Sequence, residues 1–285
     1  MSVQNKQDAD LPASNWEAAA AKAGAAIKFM LPLVILVLLW ELAVRSGLAR
    51  ASVLPAPSTI VARAWQLVDP ADPLHGPLIA HILTSLYRAV SAFVLGVLVA
   101  VPLGFALGLS PGLYRWGSPI ISVLLPLPAV AWTPIMLVAL GQGDATIINV
   151  CFLGAVFPIL YSTIQAVRAV SKPSIWVVRS MGAGFSSVFF RVLIPASLPT
   201  LMAGFKLGIA HSWRTLVAAE MLAAMSSGLG YMIFAARAYM DTATMFVGIV
   251  CLAVIGMTIE HGVFGLLENA TVRKWHGAIR IGGRR

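Results

Sequence analysis

Apolar residues in this chain gather into six long runs, each close to the length of a bilayer crossing. A helix needs about 20 predominantly apolar residues to span a hydrocarbon core. Runs of that kind fall at about 25–44, 89–109, 117–140, 145–167, 193–224 and 242–260. Lys28 and Glu41 lie near the ends of the first, and the second carries no charge. A single Asp144 separates the third from the fourth. The Gly141-Gln142-Gly143-Asp144 turn makes those two an antiparallel hairpin. The fifth is unusual in holding Lys206, Arg214 and Glu220. Between the first two runs, Ser58 after Leu54-Pro55-Ala56-Pro57 is placed to cap a short amphipathic helix through Ile60, Ala64 and Leu67. Residues 81–88 read as an amphipathic lead-in to the second run. The predicted fold is an all-α membrane protein of about six transmembrane helices.

Composition supports that pattern. Of 285 residues, 59% are hydrophobic and 11% charged, whereas soluble domains run near a quarter charged. A soluble fold could not hide so much apolar surface. Cys151 and Cys251 sit inside apolar runs as small buried hydrophobes. The net charge of +9 lies between and beyond the runs, where it serves orientation rather than nucleic-acid binding. With the N-terminus inside, Lys6, Lys22, Lys28, Arg115, Arg168, Lys172, Arg179, Arg191, Arg273, Lys274, Arg280, Arg284 and Arg285 face the cytoplasm. Arg45, Arg50, Arg63, Arg88 and Arg237 face outward, a smaller set. Residues 1–24 contain Asp8, Asp10 and Glu17 and lack the positive n-region of a signal peptide. They read as a cytoplasmic tail, and 269–285 as a basic cytoplasmic tail.

The loop 168–192 is the most informative stretch. It reads as a short helix around Pro173 to Met181, a glycine turn, a second short helix around Ser186 to Phe190, and Pro195 opening the next span. Two short helices at an angle form a knob suited to a partner's groove; an interfacial loop lying on lipid headgroups is the plainer alternative. This stretch resembles the loop that marks the membrane subunits of bacterial ABC importers: Glu-Ala-Ala, three residues, Gly, nine residues, then aliphatic-x-aliphatic-Pro. Here Gly182, followed by Ala183, takes the Gly position, and Val192, Ile194 and Pro195 close the pattern at the right spacing. The Glu-Ala-Ala positions read Trp176-Val177-Val178 instead, so the acidic residue's contact is missing.

The resemblance extends from about Val53 to Gly277 and is nearest the permeases for taurine, aliphatic sulfonates and nitrate. It is carried by Leu54-Pro55-Ala56-Pro57-Ser58, Val101-Pro102-Leu103-Gly104, Pro126 to Pro134, Trp213 to Glu220, Gly228-Leu229-Gly230-Tyr231 and Trp275-His276-Gly277. It implies a type I ABC importer transmembrane domain over 25–268, working as a homodimer in a bacterial inner membrane. Two cytoplasmic ATPase subunits would sit on the loops, using ATP and Mg, and a periplasmic or lipid-anchored protein would deliver substrate. Independently, the chain has no Gly-rich loop ending in Gly-Lys-Ser/Thr, so it binds no ATP through one.

The translocation path is expected on the third and fifth runs. Pro119, Pro126, Pro128 and Pro134 interrupt the third, and the carbonyls they free must face protein or water. Pro128, Trp132 and Pro134 are therefore path candidates. On the fifth, Lys206, Trp213 and Glu220 recur every seven residues and share nearly one face; Arg214 lies about 80° round. Lys206 and Arg214 would suit a small anion, while the structural alternative neutralises Arg214 with Glu220 inside the bundle. Gly104 and Gly108, like Gly204 and Gly208, read as small-residue packing pairs. His75, His81, His211, His261 and His276 show no metal-ligand spacing, and no nucleophile has a positioned base, so no metal and no catalytic residue is expected. An ion-gradient-driven secondary transporter would predict an inverted repeat, which the sequence does not display.

Overall fold

The computed structural model describes residues 31–68 and 77–266. Expectations for the 1–24 tail, residues 25–30, His75, the 269–285 tail and its Trp275-His276-Gly277 lie outside them. Two compact units divide the chain, Met1–Ala62 and Arg63–Arg285.

In the first unit a helix, α1, covers 31–45 and presents exposed aliphatic side chains from Leu31 to Leu39. The chain then turns, and α2 (Pro57–Leu67) begins. Ser58 does not cap this helix: it lies inside the first turn, its backbone N–H and hydroxyl both donating to Glu41 at 3.1 and 2.7 Å. The carboxylate thus serves as the anion at a helix start, where the free N–H groups favour negative charge. Arg45 completes the group with a 2.6 Å contact to the same carboxylate.

The second unit is a helical bundle, with no strand among the described residues. α3 (Leu78–Leu109) absorbs the expected lead-in and the second run into one helix of 32 residues, about 48 Å long. The third run is not one rod. α4 (Pro111–Leu124) and a 3₁₀ turn at Ala129–Trp132 leading into α5 (Thr133–Leu140) meet at 88°. Pro126 and Pro128 each lack an N–H and push the preceding residue out of the helical region, so no helix can cross 125–128. α6 (Asp144–Arg168), α9 (Ile194–Ala223) and α11 (Thr242–Met257) match the later runs. Between α9 and α11 lies a short helix the apolar runs did not reveal, α10 (Leu229–Ala238). By length and composition, four described helices can cross a membrane, and the bent pair makes a fifth if counted as one span.

α6 is the centre of this unit, packed between α3 and α9. Glycines set both contacts. A Cβ at Gly108 would meet Val167 at 2.8 Å, and one at Gly208 would meet Ile159 at 2.5 Å; Gly104 stands against Thr163 and Gly204 against Ser162 in the same way. Lipid supplies no hydrophobic drive between helices, so association depends on such close backbone approach. Ile159, Leu160 and Ile164 are buried in the cluster that results.

Candidate functional site

Three polar or functional regions emerge in the second unit: a knob, a groove and a buried ion-pair knot.

The knob starts with α7 (Lys172–Ser180), a four-residue α8 (Phe185–Val188) and a π-helical turn at Phe189–Leu193 running directly into α9. Gly182 turns the chain at φ +82°, a left-handed conformation that costs most residues with a Cβ. No atom lies within 4 Å of where a Cβ would stand, so only backbone conformation selects glycine there. The turn is tied by the Ala183 N–H donating to the Val178 carbonyl at 3.3 Å. Beneath it, Phe189 packs on Phe105 with ring centroids 5.3 Å apart, and Leu193 is buried with Val167 and Leu201. Arg168 lies 3.8 Å over the Tyr114 ring. Above it, Trp176, Val177, Met181, Phe185 and Phe190 are all at least 60% exposed. Val192, Ile194 and Pro195 form the half-buried join between knob and α9, with Pro195 in the first α9 turn where its missing N–H costs nothing. Where the sequence expected a separate second helix before Pro195, the structure runs the helix through a π turn into α9.

The groove has a cavity volume of about 540 Å³. One wall is the irregular segment 125–130, a second is α6 at Gly154, Phe157, Pro158, Tyr161 and Ser162, and the third is α9 at Leu207, His211, Arg214 and Thr215. Those α9 positions follow i, i+4, i+7, i+8, one helical face. Pro128 and Arg214 are thus brought together. Trp132 is half-buried at the end of the 3₁₀ turn, and Pro134 borders a separate shallow hollow with Ile135, Val138 and Ala139.

The heptad face of α9 turns elsewhere. Lys206 lines a small cavity with Pro199, Met202, Ala203 and Phe264. Trp213 donates its indole N–H to the Leu252 carbonyl at 3.1 Å, on α11. Glu220 is wholly buried and does not pair with Arg214. Its partner is Arg88, whose Nη1 lies 2.7 Å from Oε1; the Ser85 hydroxyl donates to it at 2.9 Å and the Gly230 N–H at 2.8 Å. Arg88 also donates to Asp144 from Nε at 2.9 Å and Nη2 at 2.7 Å, and to the Ser227 carbonyl at 2.7 Å. His81 Nδ1 accepts the Gly228 N–H at 3.1 Å. This knot joins α3, α6, α9 and the start of α10. A buried charge pair is sustainable only with its remaining hydrogen bonds satisfied, and here Ser85 and Gly230 do so for Glu220, and Asp144 and the Ser227 carbonyl for Arg88. Sequence spacing could not pair Arg88 with a residue 132 positions away; the only hint was that charges in apolar surroundings need partners.

His211, Tyr161, Ser162, Gly154 and Thr215 are groove residues that the sequence reading passed over. Stepping back along α9 from Arg214 by three and seven residues would have found His211 and Leu207.

With this geometry in view, comparison with known proteins is specific. Residues 77–269 match the binding-protein-dependent transport system inner membrane component family. The taurine transport system permease protein TauC of Escherichia coli K12 is 31% identical over 248 residues, covering 87% of this chain and 89% of that protein. The putative aliphatic sulfonates transport permease protein SsuC of Bacillus subtilis 168 is 32% identical over 272 residues, covering 94% and 96%. In fold, an inward-facing structure of the MetNI methionine ABC transporter superposes with a TM-score of 0.60 at 19% identity, covering 68% of this chain and 95% of that one. The chain belongs to the family of binding-protein-dependent transport system inner membrane components, as an integral permease subunit of an ABC importer.

Proposed function

We propose that two copies of this chain form the pathway of an inner-membrane importer for a small anion, such as taurine, an aliphatic sulfonate or nitrate. Two cytoplasmic ATPase subunits, holding ATP and Mg, dock on the knobs, and an external binding protein delivers the solute. Both termini lie in the cytoplasm. The observation that supports this reading best is the knob: a rigidly based pair of short helices whose crest is apolar and exposed. Monomeric surfaces rarely leave such patches uncovered unless a partner or membrane takes them. Trp176, Val177 and Val178 stand where the family pattern has Glu-Ala-Ala, so the ATPase contact here is apolar rather than ionic.

Transport follows by alternating access. ATP-driven closure of the ATPases draws the knobs together, and α9 carries that movement into the membrane. The path runs along the groove where Pro128 and Arg214 meet, with Trp132 and Pro134 at its margin. Lys206, Trp213 and Glu220 hold α9 against its neighbours.

Affinity purification of the tagged chain in mild detergent, followed by mass spectrometry, tests the assembly. An ATPase bearing a Gly-Lys-Ser/Thr phosphate loop is expected to copurify. Recovery of this chain alone, together with ion-gradient-driven transport in liposomes, would overturn the reading in favour of a secondary transporter.

A further inference from the structure

We infer that the permease itself carries a selective site for a monovalent oxyanion, built from Arg214 and His211 with Tyr161 and Ser162 lining the same groove. The inference rests on the reading of this chain as a permease for a small anion and goes further by locating recognition within the membrane.

Arg214 lies inside the apolar helix that runs from Phe185 to Ala223, nine residues and about 14 Å from its end. A charged side chain there is costly unless it faces a partner or water. Two other arginines of this unit have carboxylates, Arg88 with Glu220 and Asp144 and Arg63 with Asp241 at 3.2 Å, while Arg168 lies over the Tyr114 ring. Among the described residues Arg214 has no ion pair and no hydrogen bond, and neither has the His211 side chain one turn away. Glu260 borders a smaller cavity of about 170 Å³ that Arg214 also touches, but forms no ion pair with it. The groove wall contains no carboxylate. Its chemistry is therefore one fixed positive charge, an imidazole and the three hydroxyls of Tyr161, Ser162 and Thr215, set in otherwise apolar walls.

That set selects its ligand. A guanidinium presents N–H donors in a planar fork that fits two oxygens of one oxyanion. One positive charge balances one negative charge, so a sulfonate or nitrate is neutralised, while a dianion such as sulfate would stay half unpaired in low dielectric. Cations find no acceptor charge. The volume is within the range of small-molecule sites, about 300–1,000 Å³.

Phenylglyoxal labelling of arginines in the assembled importer in nanodiscs, read by peptide mass spectrometry, reports occupancy at Arg214 directly. Nitrate or ethanesulfonate at millimolar concentration is expected to slow labelling of Arg214 at least threefold relative to sodium gluconate at equal ionic strength. Labelling of Arg63 should not change. In proteoliposomes, Arg214→Gln should lower uptake of the protecting anion at least about tenfold, the loss of one charge-assisted hydrogen-bond set. ATP hydrolysis should persist, and Arg237→Gln should transport normally. Uptake by the unaltered protein without protection of Arg214, or normal uptake by Arg214→Gln, would overturn the site and leave the importer standing. Protection at Arg214 with no uptake of either anion would retain the site and refute the small-anion importer.

Discussion

Replacing Arg88 with methionine should destabilise the protein more than replacing Glu220 with glutamine, and the knot predicts by how much. In Arg88→Met the Glu220 carboxylate stays fully buried with only the Ser85 hydroxyl and the Gly230 N–H as donors. Removing one partner of a buried pair in this way costs about 3–5 kcal/mol. In Glu220→Gln the Arg88 charge keeps two contacts to Asp144 and one to the Ser227 carbonyl. The loss is then one charge-assisted hydrogen bond, about 1.5–3 kcal/mol. The ordering arises because Asp144, whose side chain is 54% exposed, stays in place for arginine but offers nothing to an abandoned glutamate. Equilibrium unfolding in mixed micelles measures both variants, and the double variant should fall short of the sum, since residues in one network couple. Equal costs, the reverse order, or losses below about 1 kcal/mol in both would refute the assignment of this knot as the bond that closes the bundle at this end.

Other outcomes follow from the same structure. Gly182→Val imposes a branched side chain on a left-handed residue with open space around it; a local strain of about 1–2 kcal/mol should reshape the turn, leaving the protein in the membrane while uncoupling ATP hydrolysis from uptake in proteoliposomes. Gly208→Leu drives a side chain into Ile159 across the α6–α9 contact, and should abolish the monodisperse peak on size-exclusion chromatography. Trp176→Glu and Met181→Asp make the exposed crest polar without touching its base, and copurification of the ATPase should drop severalfold in each.

The long apolar runs made most of the fold legible, because a bilayer demands continuous spans and the chain's carbonyls must be satisfied within each one. The knob was legible for a different reason: Gly182 and Pro195 are residues whose backbone constraints are local. What escaped had no local signature. α10 is only ten residues long and follows a Gly-rich turn, so hydropathy did not distinguish it from a loop. Pro126 and Pro128 announced an irregular helix, but the 88° redirection depends on where α5 finds its packing. On α9 the seven-residue spacing of Lys206, Trp213 and Glu220 correctly described a face, yet periodicity does not say what a face meets. It met α11, Phe264 and Arg88, while the neighbouring face took the groove.

From Phe185 to Ala223 the chain is helical for 39 consecutive residues, about 58 Å by its rise. One end of that length carries the aromatic crest; the other is fastened through Glu220. Turned as one body, such a length sweeps its crest by about 5 Å for a tilt of about 5° about its fastened end, roughly one helical turn. A nucleotide-driven step of that size in the ATPases would need no unfolding, no hinge within the span and no side-chain relay to alter the groove, because Arg214 sits on the same shaft.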